Sequence, residues 1–204
     1  MKKKEKNNTV SGVNEGNAPK GALSSLAADL KVFGNVRVLC LAAMLCAMSY
    51  ILGYLAKMIF GLGPVRFTLE NLPIIFGSVT FGPFAGALIA AAADLCSCLA
   101  SGQGPNPLIL VGSISVGLVS GTVGRYICKS RRFLALLTVE FVTHLIGSVV
   151  IKSAALHIFY GYAPVLLLPR IPIYTMIIAV ESYVLWLLFR NRQLRTLLER
   201  IRKS

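Results

Sequence analysis

Arg66, Glu70, Asn71, Asn106, Lys152, Tyr160, Tyr162 and Arg170 are the residues whose side chains best suit engagement of a small molecule. Together they bring two guanidinium groups, an ammonium, a carboxylate, two amides and two phenol rings. A guanidinium fork pairs with carboxylates. Amides and carboxylates read donor and acceptor edges, and phenol rings stack on flat heterocycles. All eight stand at the ends of long apolar runs or in the loops beside them. Apolar walls with a few convergent polar groups make a ligand pocket. No reaction chemistry accompanies them: the sequence carries no phosphate-cradling loop, nucleophile elbow, zincin pair or dinucleotide fingerprint. Cys40, Cys46, Cys96, Cys98 and Cys128 read as apolar filler, and Cys-Ser-Cys at 96–98 is spaced too tightly for a zinc pair. The expectation is a binder with no catalytic residues, no metal and no cofactor.

The elements that position these residues are membrane helices. Of 204 residues, 55 % are hydrophobic and only 14 % are charged. A soluble domain needs about 25 % charged residues. Apolar runs at 36–56, 67–82, 83–100, 108–124, 134–157 and 171–189 predict six spans. The 34 residues from 67 to 100 are too many for one crossing of a core about 30 Å thick, and Gly82-Pro83 divides them. The segment 67–82 is short for a full crossing. Residues 1–34 read as a disordered cytoplasmic tail with a lead-in helix and 35–190 as the six-helix substrate-binding domain. Residues 191–204 read as a basic amphipathic helix, with Leu194, Leu197, Leu198 and Ile201 on one face, suited to a membrane surface or a partner.

Charge fixes the orientation. Of 21 Lys and Arg, seven lie in 1–37, four in 125–132 and six in 190–204. These three blocks share one side of a six-span chain, so the positive-inside rule makes both termini cytoplasmic. The net charge of +13 is thereby a property of topology and anionic lipid, not of nucleic-acid binding. The eight pocket residues then fall at the outer ends of the spans. Asp94 lies among small apolar neighbours and reads as a helix-to-helix hydrogen bond or a pocket group. Glu140 and Glu181 lie deeper and read as structural partners of Arg or Lys. Small residues four apart, at Ala43/Ala47, Gly82/Gly86 and Gly117/Gly121, allow close helix approach.

Val65-Arg66-Phe67-Thr68-Leu69-Glu70-Asn71-Leu72-Pro73, Phe81-Gly82-Pro83-Phe84-Ala85-Gly86-Ala87 and Ala93-Asp94-Leu95 resemble the substrate-binding subunits (S components) of energy-coupling factor (ECF) vitamin transporters. Tyr160-Gly161-Tyr162 through Leu168-Pro169-Arg170 resembles the folate branch. Of that branch's Phe-Gln-Pro-Arg-x-x-Lys motif, Pro169 and Arg170 match, while Leu167, Leu168 and Ile173 stand at the other positions. The resemblance implies six helices in a bacterial plasma membrane, capturing a vitamin from outside, folate first. It also implies a transmembrane coupling subunit and two cytoplasmic ATPases as partners, with Ala43 and Ala47 matching the docking face. Riboflavin or pantothenate, or a scaffold role without a ligand, are the alternatives.

Overall fold

The computed structural model describes residues 35–60, 67–102, 104, 106–127, 133–163, 165 and 168–203. The expected tail at 1–34, Arg66, Cys128 and most of the basic loop at 125–132 lie outside the described residues. Among the described residues every regular element is helical: α1 (Val36–Phe60), α2 (Asn71–Phe81), α3 (Pro83–Ala100), α4 (Pro107–Ile127), α5 (Phe133–Tyr160), α6 (Arg170–Arg190) and α7 (Arg192–Lys203). This is an all-α membrane protein. Five of these helices are long and apolar enough to cross a bilayer. The sixth apolar helix is α2, whose 11 residues reach only about 16 Å, short of a full crossing as its apolar run predicts. The helix α1 also continues past its predicted end at residue 56, so Lys57 belongs to it rather than to a loop.

The chain reverses at Gly82, whose φ of 110° is open to glycine and strained for other residues. Pro83 starts α3 at a position where a missing N–H costs nothing. Across this turn Ser78 meets Gly86 and Gly77 meets Ile89, so α2 and α3 run antiparallel. Helix α4 then packs directly on α3. A Cβ on Gly117 would collide with the backbone of Gly86, and one on Gly121 with Pro83. Ser78 Oγ donates to the Gly117 carbonyl at this crossing. The two glycine pairs expected to permit close approach therefore meet each other.

Around this contact Ile75, Val116, Leu136, Val139 and Leu185 are fully or almost fully buried. Phe76 stacks on Phe189 with ring centroids 5.4 Å apart. Large apolar residues on the outer faces, such as Leu99 at 79 % and Met44 at 67 % exposure, point where lipid would lie. Helix α7 turns its apolar face inward. Leu194, Leu198 and Ile201 pack on the core, and Asn35 Nδ2 donates to the Ile201 carbonyl at 3.0 Å. Leu197 stays exposed. The chain itself thus covers most of the face that the sequence offers to a membrane or partner.

Helix ends form two groups. Lys57, Glu70, Asp94, Asn106, Lys152 and Arg170 converge at one. Arg37, Arg125, Arg190 and Arg192 lie at helix ends on the other. The positive-inside rule assigns the second group to the cytoplasm. In a cysteine-free background, Ala163→Cys should react with an impermeant maleimide in sealed cells, and Gln193→Cys only after permeabilisation. The reverse pattern would invert the topology. At the α3–α4 crossing, Gly117→Val should cost at least about 1–3 kcal/mol through overpacking. Gly104→Ala, which meets nothing within 4 Å, should leave the thermal midpoint of the purified protein unchanged.

Candidate functional site

A cavity of about 350 Å³ opens among the ends of α1 to α6. That volume falls within the range of small-molecule sites, about 300–1,000 Å³. Helix α1 supplies Ser49, Tyr50, Gly53 and Lys57, which recur about every four residues and so share one face. Glu70, Asn71 and Ile74 come from the start of α2, and Ala93, Asp94 and Ser97 from α3. Helix α4 contributes Asn106 and Ser113, α5 contributes Lys152 and Tyr160, and α6 contributes Arg170, Ile173 and Tyr174. Because α2 is short and antiparallel to α3, its first turn faces the last turns of α3. That geometry sets Glu70 and Asp94 in one chamber.

Several of the polar side chains have a defined support. Ser49 Oγ donates to the Glu70 carbonyl at 2.6 Å, and the Glu70 N–H donates to Thr68 Oγ1 at 3.2 Å. A Cβ on Gly53 would lie 2.7 Å from Glu70 Oε2, so glycine makes room for that carboxylate. Lys152 runs past Gly112, where a Cβ would lie 2.8 Å from its Cγ, and reaches Glu70 Oε1 at 3.8 Å. Its side chain thus reaches into the chamber instead of snorkelling to the membrane interface. Lys57 Nζ donates to Ser97 Oγ at 2.6 Å and to Ser101 Oγ at 3.1 Å, tying α1 to α3.

Asn106 caps α4: its Oδ1 accepts the N–H groups of Leu108 at 3.0 Å and Ile109 at 3.4 Å. Asn71 is 2 % exposed, and its Oδ1 is buried without a hydrogen-bond partner. A buried amide oxygen in that state needs a donor, which a ligand can bring. Arg170 is 5 % exposed and its Nη2 donates to the Ser148 carbonyl and to the Tyr174 hydroxyl, each at 3.1 Å. Its guanidinium also sits 5.4 Å from the centroid of the Tyr174 ring. Pro169 fixes the helix start, while these contacts hold the fork itself.

The tyrosines stand at the rim. Gly161 adopts φ 67°, and His157 Nδ1–H donates to the Tyr162 carbonyl at 2.8 Å, folding the loop back over α5. Tyr160 and Tyr162 rings then lie 6.4 Å apart and 28° from parallel. Of the eight residues that the sequence singles out, Glu70, Asn71, Asn106, Lys152, Tyr160, Tyr162 and Arg170 line this cavity. Arg66 lies outside the described residues.

Lys57, Ser97, Tyr50 and Tyr174 also line it and were not anticipated as site residues. The four-residue recurrence of Ser49, Gly53 and Lys57, and Tyr174 four positions after Arg170, were the available signals. Among the described residues Glu140 and Glu181 have no Arg or Lys partner. Their ion-pair partner among the described residues is His144, at 3.4 and 2.7 Å.

The family model described as "ECF transporter, substrate-specific component" matches residues 37–199. No curated protein and no solved structure matches the chain. The match spans the six bundle helices and every cavity residue. The chain therefore belongs to the substrate-specific component family of ECF transporters, as a multi-pass membrane subunit that binds a small-molecule substrate and works with an ECF module.

Proposed function

We propose that this subunit captures folate from outside a bacterial plasma membrane and passes it to a module built from a transmembrane coupling subunit and two cytoplasmic ATPases. The observation that carries the reading is the mixed charge of a single chamber. Lys57, Lys152 and Arg170 line it together with Glu70 and Asp94. Folate asks for both signs: a glutamate tail with two carboxylates, and a pterin whose amino and amide edge offers donors. Arg170 and Lys152 meet the carboxylates, Asp94, Glu70 and Asn71 read the pterin edge, and Tyr160 or Tyr162 stacks on its face. Ile173 occupies the cavity wall where the folate motif has a lysine. Lys57 and Lys152 supply ammonium groups to the same space. The Ile173 difference is also what favours a second reading, in which the same chamber takes riboflavin or pantothenate.

The coupling face rests on α1. Ala43 and Ala47 are exposed, in the half of the helix away from the cavity. Small residues there let another helix approach closely.

Ligands released from the purified subunit and identified by mass spectrometry should include a folate; riboflavin or pantothenate instead would select the second reading. By calorimetric titration, Arg170→Ala should weaken folate binding by roughly 30-fold to several thousand-fold, the loss of one partner of a buried ion pair. Arg170→Lys should restore only part, since an ammonium lacks the planar fork. Tyr160→Leu, at an exposed rim position, should weaken binding roughly 2- to 12-fold through lost stacking. Equal affinities across the series would remove the assigned roles. Ala43→Trp or Ala47→Trp should bind ligand normally in the isolated subunit yet abolish uptake and co-purification of the ATPases. Normal uptake would place the docking face elsewhere.

A further inference from the structure

The chain carries a second polar cluster, deep between α5 and α6 and outside the substrate chamber. Glu140, His144 and Glu181 are each 0 % exposed. One ligand atom from each lies within 4.8 Å of the others. His144 Nε2 stands 2.7 Å from Glu181 Oε2 and 3.4 Å from Glu140 Oε2. Both oxygens of Glu140, and Oε1 of Glu181, are buried with no hydrogen-bond partner. From these observations we infer that Glu140, His144 and Glu181 form a binding site for a divalent transition-metal cation of the zinc or manganese type.

Charge balance supports the assignment. Two carboxylates at zero exposure inside an apolar bundle cost several kcal/mol each unless a counter-charge reaches them or they take up a proton. A neutral imidazole supplies none. A protonated imidazole supplies one positive charge along its Nε2 direction and leaves the outward oxygens of Glu140 without a donor. A divalent cation balances both carboxylates and leaves the site neutral.

Donor chemistry selects the class of ion. One imidazole nitrogen and carboxylate oxygens, with no thiolate, suit borderline and moderately hard divalent ions. The ring is also oriented for the task. His144 Nδ1 lies 3.2 Å from Ser148 Oγ. With the cation bound, a proton on Nδ1, donated to that hydroxyl, would leave the Nε2 lone pair for the metal in place of the 2.7 Å hydrogen bond that Nε2 makes to Glu181 Oε2. A second partner of this kind is the usual support of a metal-bound histidine.

The backbone is specialised here as well. Residues His144–Ile151 of α5 form a π-helical stretch that begins at the histidine, and such stretches collect at functional sites. The cation would pin α5 to α6 at this point. The His144 ring lies 5.4 Å from Tyr174, and the Ser148 carbonyl accepts from Arg170, so the site braces the floor of the substrate chamber. None of this depends on which vitamin the chamber holds.

The test uses the full-length subunit, purified without a histidine tag or chelator. Elemental analysis should find about one equivalent of zinc or manganese per chain, held strongly enough that stripping it destabilises the fold. Stripping with a chelator should lower the thermal midpoint, and adding back Zn²⁺ or Mn²⁺ should restore it. Glu140→Gln and Glu181→Gln should each lose the metal, while Glu70→Gln, in the substrate chamber, should keep it. Ser148→Ala should fold and weaken metal affinity about 10- to 100-fold. If the glutamine variants do not fold, the metal content and add-back response of the parent protein decide alone. Metal-free parent protein with a midpoint indifferent to both ions would overturn the site and leave a proton-bridged triad.

Discussion

The contact on which the site depends is the backbone approach of α3 and α4 at Gly86, Gly117 and Gly121. It leaves no room for a Cβ at Gly117, and it seats Ser78 against the Gly117 carbonyl. With no hydrophobic force to draw helices together in lipid, close packing and a few interhelical hydrogen bonds must do so. This contact fixes the hairpin of α2 and α3 on α4. Because α2 ends after 11 residues, its first turn sits well inside the bundle. Glu70 and Asn71 are thereby set level with the outer half of α3, and a chamber opens above them. A full-length α2 would fill that space with backbone.

A second constraint is the cost of charge in the bilayer. The protein meets it in two ways. At the outer end, acids and bases are gathered around one wettable chamber, where Glu70 pairs with Lys152 at 3.8 Å. A loose pair of this kind, with 13 % and 22 % of its side-chain surfaces exposed, can exchange its partner for a ligand group. In the interior, Glu140, His144 and Glu181 are sealed from solvent, and exchange with water cannot compensate them. The two clusters touch through the Ser148 to Arg170 hydrogen bond and the packing of His144 on Tyr174.

Span positions were legible because each is a long apolar run, and the turn at Gly82-Pro83 because no helix continues through that pair. Seven of the eight proposed pocket residues share a cavity because positive-inside charge and span count together tell which helix ends meet. Lys57 is not legible from the apolar run, which ends at residue 56, because the helix continues past it to Phe60. The interior triad was missed for a different reason. Glu140 and His144 are one helical turn apart and visible as a pair, but Glu181 joins them only through the packing of α6 on α5. No spacing rule along the chain expresses that. The fate of α7 was similarly hidden: an amphipathic helix looks the same whether its apolar face meets lipid, a partner or its own bundle.

Helix α1 is the one element that joins the proposed binding and docking surfaces. Ser49, Gly53 and Lys57 face the chamber, while Ala43 and Ala47 are exposed further toward the cytoplasmic end. From Ala47 to Lys57 is about 15 Å along a continuous helix. A partner can sense ligand occupancy only through a difference in contacts between the loaded and empty states. The available difference is at Lys57, whose ammonium binds Ser97 and Ser101 of the α3 end. An anionic ligand that pairs with Lys57 in the chamber would compete with its bonds to Ser97 and Ser101, and so with a tie between α1 and α3. The Gly86–Gly117 contact would hold α3 and α4 in place below. Any shift of α1 would carry Val38 and Ala42 with it, and both belong to the core, so the Ala43 and Ala47 face is tied to the packing of the bundle as well as to the chamber.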